Sequence, residues 1–164
     1  MVSKLTTRLF YAAEGLLLAG VFATCVVIYR PEEWQPPLLV GLLLLLSLGG
    51  QRLVFMIRGQ HLSAGLVAQV LAMALLGPVP AVAVSIAAAI FISFGRKLPP
   101  SAWLNNLTTF AVFPMAGGLL GLALIGNVHD PAGQTATGIA FALAVFAIYF
   151  LSLILDFGAI AQPR

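Results

Sequence analysis

Charged side chains are scarce in this sequence, and their scarcity excludes a soluble globular domain. Asp, Glu, Lys and Arg make up 8% of the 164 residues, whereas an average soluble domain carries about 25%. Hydrophobic residues reach 61%, and the mean hydropathy is +1.07. Such a chain cannot cover a fold with a hydrated surface, so we expect lipid to be its solvent. The net charge of +3 is then charge that orients a membrane protein, and nucleic acid is not an expected partner.

Cysteine and histidine are almost missing, which excludes several kinds of site. The single cysteine, Cys25, rules out an intrachain disulfide framework and a cysteine-rich metal centre. The two histidines, His61 and His129, fall on opposite sides of the membrane in the topology given below, so we do not expect them to share a metal. The sequence also has no Gly-rich phosphate loop, no Ser-His-Asp set and no paired carboxylates at a cleft. We therefore expect no enzyme activity, no cofactor and no metal.

What the sequence has in abundance is apolar runs, six of them, separated by turn residues or charges. None alternates with the period of two over many short strands that a transmembrane barrel needs. Helices are then the remaining way to satisfy the backbone inside lipid. We predict an all-α membrane protein in which residues 1–164 form a single integral-membrane domain, a bundle of six transmembrane helices. The expected spans are 9–29, 37–57, 62–76, 80–95, 103–125 and 137–161.

The stretch ALLGPVPAVAVSI places two prolines between the third and fourth apolar runs. Gly77 lets the chain leave a helix, Pro78 cannot continue one, and Pro80 suits the first turn of the next helix. The sequence therefore predicts a tight Gly-Pro hairpin between helices three and four. Both runs are short, at about 15 to 17 residues, against a hydrocarbon core of about 30 Å. Two short spans are favoured, and a re-entrant hairpin is the alternative.

The distribution of Lys and Arg predicts the orientation. With the N-terminus inside, only Arg30 falls on the outer side. The cationic residues on the inner side are Lys4, Arg8, Arg52, Arg58, Arg96, Lys97 and Arg164. Cationic residues concentrate on the cytoplasmic side of membrane proteins, so we expect both termini to be cytoplasmic. Trp34 and Trp103 fall at the starts of spans, where interfacial aromatic residues are common.

Three charged residues lie within the apolar runs or close to their ends, and such residues are costly in a membrane. Glu14, Arg52 and Asp156 are expected at similar depth near the cytoplasmic face. The sequence predicts a Glu14–Arg52 or an Asp156–Arg52 pair. A structural pair between helices is the favoured interpretation. A proton or signal relay and simple exposure at the interface remain open.

Neutral polar side chains supply a second set of candidates. Gln69 lies in the third run, and Asn105, Asn106, Thr108 and Thr109 open the fifth. Such groups usually join transmembrane helices through hydrogen bonds, although they also suit a pocket for a small ligand. Both interpretations stay open, with helix joining favoured for the asparagines.

Two pairs of small residues have the spacing that lets helices approach closely. Gly117 and Gly121 form one pair, and Ala19 and Ala23 form a weaker one. The spacing predicts helix packing and carries no chemistry.

The order of several short motifs resembles a known kind of membrane region. RGQHLSAG leads into a helix ending LLGPVPA, a second helix ends in GRKLPPS, then WLNNLTTFAVFPMAGGLLG follows, and the last helix carries AIYFLSLIL. From Arg58 to Leu155 this order is similar to the multi-helix membrane sensor regions at the N-termini of bacterial signalling proteins. In those proteins the membrane part usually precedes a cyclic-di-GMP synthase, an HD-type phosphodiesterase or a kinase domain.

The resemblance implies a sensory or ligand-binding module, not catalytic by itself, that crosses the bacterial cytoplasmic membrane several times. The sequence holds no output domain, so we expect either the membrane portion alone or a separate subunit. The expected partners are the lipid bilayer, a small hydrophobic or polar ligand, and further copies of the chain or a larger membrane complex. Two alternatives stay open: the substrate-binding membrane subunit of an energy-coupling-factor vitamin transporter, and a small accessory subunit of a larger complex.

Overall fold

Helices make up most of the chain in the computed structural model, which describes residues 4–57, 60–96, 99–125, 133, 136–141 and 143–145. The elements are α1 (Lys4–Ile28), a short 3-10 helix (Pro31–Trp34), α2 (Pro37–Gly50), β1 (Val54–Ile57), β2 (Gln60–Ser63), α3 (Gly65–Leu75), α4 (Pro78–Arg96) and α5 (Pro100–Ile125). Residues 136–141 and 143–145 are also helical.

Within the described residues, three helices are long and apolar enough to cross a membrane. The apolar windows are Tyr11–Ile28 in α1, Pro78–Gly95 in α4 and Pro100–Leu124 in α5. Many large apolar side chains are exposed along them, such as Leu16 and Val27 of α1, as expected where lipid is the solvent. These helices confirm the prediction of a helical membrane protein. Of the sixth predicted span, 137–161, only the first part is described.

The second and third predicted spans are wrong at one end each. A β-hairpin replaces helix over Val54–Ile57 and Gln60–Ser63, so the all-α prediction also missed two strands. The strands are antiparallel, with Val54 paired to Ser63 and Ile57 to Gln60. The physical reason lies in the residue types. Glycines at the end of α2 weaken a helix, and the sequence VFMI has β-branched and aromatic residues that favour a strand.

Glycines bring the end of α2 against the start of α3. A Cβ atom on Gly50 would lie 2.7 Å from Gly65 Cα, and one on Gly65 would lie 2.7 Å from the Ser47 carbonyl oxygen. Ser63 links the end of α2 to the start of α3. Its hydroxyl donates a hydrogen bond to Gln51 Oε1 at 2.7 Å and accepts one from the Gly65 N–H at 3.1 Å. The hairpin is thereby tied to both helices.

The α4 helix lies at the centre of the bundle and contacts α1, α2, α3 and α5. One buried apolar cluster joins α2, α3, α4 and the helical residues beyond 135, and its members include Leu43, Met73, Ala81 and Phe141. A second cluster joins α1, α4 and α5 and consists of Val21, Val82, Ala111 and Met115. Among the described elements, α1 is peripheral, because it packs mainly on α5 and makes a smaller contact with α4.

Two residues connect α3 to α4. Gly77 has a φ angle of +94°, a conformation that glycine adopts without steric cost. The α4 helix begins at Pro78, two residues before the predicted start, and the Ala81 N–H bonds back to the Gly77 carbonyl at 3.3 Å. The Pro78 ring packs against α5, where a Cβ atom on Gly118 would lie 2.5 Å from Pro78 Cα.

Candidate functional site

The α1–α5 contact contains a buried carboxylate. Glu14 is 5% exposed, and its Oε1 accepts a hydrogen bond of 2.8 Å from Asn105 Nδ2. The Thr108 hydroxyl donates to the Glu14 carbonyl oxygen at 3.4 Å. Asn105 and Thr108 are three residues apart, so they lie on the same face of α5. Thus one residue of α1 contacts two polar residues of α5 that lie about one helical turn apart.

The second oxygen of this carboxylate is not satisfied. Among the described residues, Glu14 Oε2 is buried and has no hydrogen-bond partner. A buried acceptor without a partner costs about 1–3 kcal/mol, and an ionised carboxylate accepts several hydrogen bonds. The Oε2 atom can therefore accept one further hydrogen bond, and the N–H or O–H of a ligand is a suitable donor.

The same two helices run parallel and line an open apolar groove. Their direction follows from the contacts, because Glu14 meets Asn105 and Thr108, while Val21 shares a cluster with Met115 further along α5. The groove has a volume of about 630 Å³. The residues that line it are Ala13, Leu16, Leu17, Gly20, Val21, Thr24, Val112, Met115, Ala116 and Leu119. It suits a hydrocarbon chain.

The predicted Glu14–Arg52 pair is not formed. Arg52 is exposed, and its guanidinium carbon lies 5.6 Å from the centre of the Phe91 ring. The reason is the position of Arg52, which follows the end of α2. The α2 helix packs on α4, and its described residues make no extensive contact with α1. Asp156 lies outside the described residues, and so does the predicted Asp156–Arg52 pair.

The other polar candidates are spread over the bundle. Gln69 is buried in α3, with its Nε2 unpartnered among the described residues. Asn106 is half-buried next to Asn105. In the part of the chain that the structure describes, neither residue bonds to Glu14, whose side-chain bond is to Asn105.

The predicted packing glycines meet side chains of other helical segments. A Cβ atom on Gly117 would lie 2.5 Å from Met73 Sδ, and one on Gly121 would lie 3.4 Å from the Phe141 ring. Among the α5 glycines, the tightest contact on the backbone of a neighbouring helix involves Gly118, which was not among the sequence-based candidates. Its signal is only the GG pair within MAGGLLG.

A second carboxylate, also missed from the sequence, lies under the α3–α4 turn. A Cβ atom on Gly77 would lie 3.1 Å from Glu33 Cδ. Burial raises the pKa of Glu33 above its ordinary value of 4.5, and the backbone N–H of Val79 and the charge of Arg30 only partly offset it. Glu33 Oε2 is buried and unpartnered among the described residues, and so is the indole Nε1 of neighbouring Trp34.

No group of three or more His, Cys, Asp or Glu side chains that could hold a metal ion occurs within the described residues. Comparisons with models of protein families, with curated proteins and with solved structures find no match to this chain.

Proposed function

We propose that this chain is a sensory or ligand-binding module of a bacterial signalling protein, embedded in the cytoplasmic membrane and not catalytic by itself. The observation that carries the proposal is the half-satisfied Glu14 carboxylate at the α1–α5 contact. A polar group that is costly in a membrane is by default a functional candidate. Here it has one fixed donor, and its second oxygen lacks a partner among the described residues.

The site suits a single-chain amphiphile whose head group donates a hydrogen bond. The head would complete the coordination of Glu14 Oε2, and the chain would lie along the apolar groove between α1 and α5. Binding would change how firmly α1 is held to α5, because Glu14 belongs to both the ligand contact and the interhelix contact. That link between binding and helix position is what a sensor needs.

The experiment uses the full chain in detergent, with 1-dodecanol as the probe and n-dodecane as its match without a donor. A ligand of the native state raises the unfolding temperature as its concentration passes Kd. We expect dodecanol to raise the unfolding temperature of the wild type more than dodecane does. The difference should vanish in Glu14→Leu and persist in Asn106→Leu, the control next to Asn105. Equal effects of the two probes on the wild type would contradict the proposal.

The proposed topology has six spans with both termini cytoplasmic, and it includes a Gly-Pro hairpin between the third and fourth. The Lys and Arg distribution supports it. Reporter fusions at Arg58, Lys97 and Arg164 should read cytoplasmic, and fusions at Glu33 and Asp130 should read external. A cytoplasmic reading at Asp130 would remove the six-span arrangement.

A second candidate, the membrane subunit of a vitamin transporter or of another complex, has one observation in its favour. Ala19 and Ala23 of α1 are both exposed, so a partner helix has access to this small-residue pair. In that case Ala19→Leu should prevent assembly with the partner and leave the dodecanol response intact. In the sensor proposal the Glu14 substitution has the larger functional effect.

A further inference from the structure

Prolines leave the start of α4 short of hydrogen-bond donors. The first four residues of a helix normally offer four free N–H groups. In α4, Pro78 and Pro80 have none, and the Ala81 N–H bonds to the Gly77 carbonyl at 3.3 Å. Val79 is therefore the one residue among 78–80 that has a backbone N–H, and this N–H interacts with the Glu33 carboxyl group.

Glu33 reaches this donor from the Pro31–Trp34 helix, which contacts the start of α4. Its carboxyl oxygens lie 3.2 and 3.4 Å from the place where a Cβ atom of Gly77 would be, so a side chain at position 77 would crowd them. Because a single N–H faces the carboxyl group, an ionised form gains less than at an ordinary helix start, where several donors and the dipole act together.

We propose that Glu33 is a proton-operated clasp, which holds the Pro31–Trp34 segment against the α3–α4 turn when neutral and releases it when charged. A neutral carboxyl group has both a donor and an acceptor. Its C=O accepts from Val79, and protonation removes the charge from a carboxyl group whose Oε2 is buried without a partner among the described residues. When the proton is lost to solvent, the Glu33 carboxylate has one hydrogen-bond donor and an incomplete hydration shell.

The surroundings of Glu33 contain few other titratable or charged groups. Arg30 and Glu32 are close to Glu33 in sequence, and Arg30 lowers the pKa of Glu33 while Glu32 raises it. The Cys25 thiol of α1 is near enough to interact with the Glu33 charge. The α3–α4 turn and α5 contribute no titratable side chain, since residues 75–81 and 100–125 contain none.

The direction of the pH effect follows from burial, which raises the pKa of Glu33 in the closed contact. The closed form then binds the proton more tightly than the open form does. Its stability is fully present below a pH of about 4.5 and is lost as the pH rises through the raised pKa. Each unit of difference between the two pKa values changes the closed-to-open ratio about tenfold.

The test follows Trp34 fluorescence in the full chain in detergent between pH 4 and 8, with Trp103→Phe as the background so that Trp34 is the only indole. We expect the emission to shift to longer wavelength as the pH rises. Glu33→Gln should keep the low-pH emission throughout, and Glu33→Ala the high-pH emission. Glu32→Gln and His129→Gln are the controls and should keep the transition, since histidine titrates in the same range.

A second measurement, amide hydrogen exchange of Val79 and Ala81, does not depend on the Trp103 substitution. The ratio of wild-type to Glu33→Gln exchange rates cancels the intrinsic pH dependence. We expect this ratio to be about one at pH 4 and to rise severalfold by pH 8. A constant ratio, or a Trp34 transition that survives in Glu33→Gln, would overturn the proposal. Neither readout involves dodecanol, so this result stands apart from the ligand experiment.

Discussion

Glu14 and Glu33 are both carboxylates withdrawn from solvent, yet they are held in different ways. Glu14 lies inside a helix, where the neighbouring backbone donors are already used, and its partner is a side-chain amide 91 positions away. Glu33 lies in a connection and faces a backbone N–H at the start of a helix. The first contact depends on two particular side chains, whereas the second depends on the shape of a turn. Substitutions should therefore separate them sharply.

The largest expected effect concerns the packing that fixes the turn above Glu33. In Gly118→Leu the new side chain would meet Pro78 Cα at 2.5 Å and Cβ at 2.9 Å, and these atoms cannot rotate away. Overpacking of this kind costs about 3 kcal/mol, measured as the loss of unfolding free energy in detergent. The matched control is Gly20→Leu, where nothing lies within 4 Å. Equal losses in both variants would show that α5 does not press on Pro78.

The next effect tests the side-chain contact at Glu14. Asn105→Ala leaves the buried carboxylate without its donor, so we expect a loss of about 1–3 kcal/mol. Replacing Glu14 and Asn105 together by leucine should recover most of it, because no polar group is then stranded. Chemical unfolding of the single and double variants measures the coupling. Losses that add within about 0.5 kcal/mol would mean that the two residues act independently.

A smaller effect concerns the turn itself. Gly77→Leu puts a side chain at a φ of +94°, which costs about 1–2 kcal/mol, and also displaces Glu33. Pro78→Ala should cost less, because alanine can begin a helix. Comparing the effect of Gly77→Leu in the wild type with its effect in a Glu33→Ala background separates the cost of the backbone conformation from the cost of displacing Glu33. If the thermal unfolding of Gly77→Leu were indistinguishable from that of the wild type, the turn would accommodate the new side chain without cost.

The smallest effect concerns Arg52, which the sequence suggested as the partner of a buried acid. Because its guanidinium lies over the Phe91 ring, Arg52→Ala should lose only about 0.5–1 kcal/mol. In a Phe91→Leu background, Arg52→Ala should cause almost no further loss of stability. The Glu14–Arg52 pair that the sequence predicts would instead give a larger loss of stability, and removal of the acid would rescue it. A double change of Arg52 and Glu14 to leucine that restores stability would favour that earlier expectation over the structure.

The parts of the fold that could be predicted are those decided by hydropathy over long stretches. The lengths of α1, α4 and α5 follow from continuous apolar sequence, and a break in the chain at Gly77 follows from a residue that tolerates positive φ beside prolines. The β-hairpin was missed because Val54–Ile57 is as apolar as a helix, and hydropathy does not distinguish the two at this length.

The contacts of the site were harder to predict, because they depend on which helices are neighbours. Pairing Glu14 with Arg52 used charge alone, while the structure brings α5 to α1 and so supplies Asn105. Asn105 was among the candidates, but nothing in the sequence linked it to Glu14. Glu33 was not among the sequence-based candidates, since its burial arises from the α3–α4 turn.

The unequal helix lengths have a consequence for the surrounding lipid. The α1 and α5 helices have 25 and 26 residues, or about 38 and 39 Å, whereas the 11 residues of α3 reach only about 17 Å. In the proposed six-span arrangement, the 25-residue apolar window of α5 is longer than the hydrocarbon core and α3 is shorter, so hydrophobic mismatch should tilt α5 and thin the membrane beside α3. The protein would then deform the bilayer unequally on its two flanks, and acyl-chain length would set part of its stability.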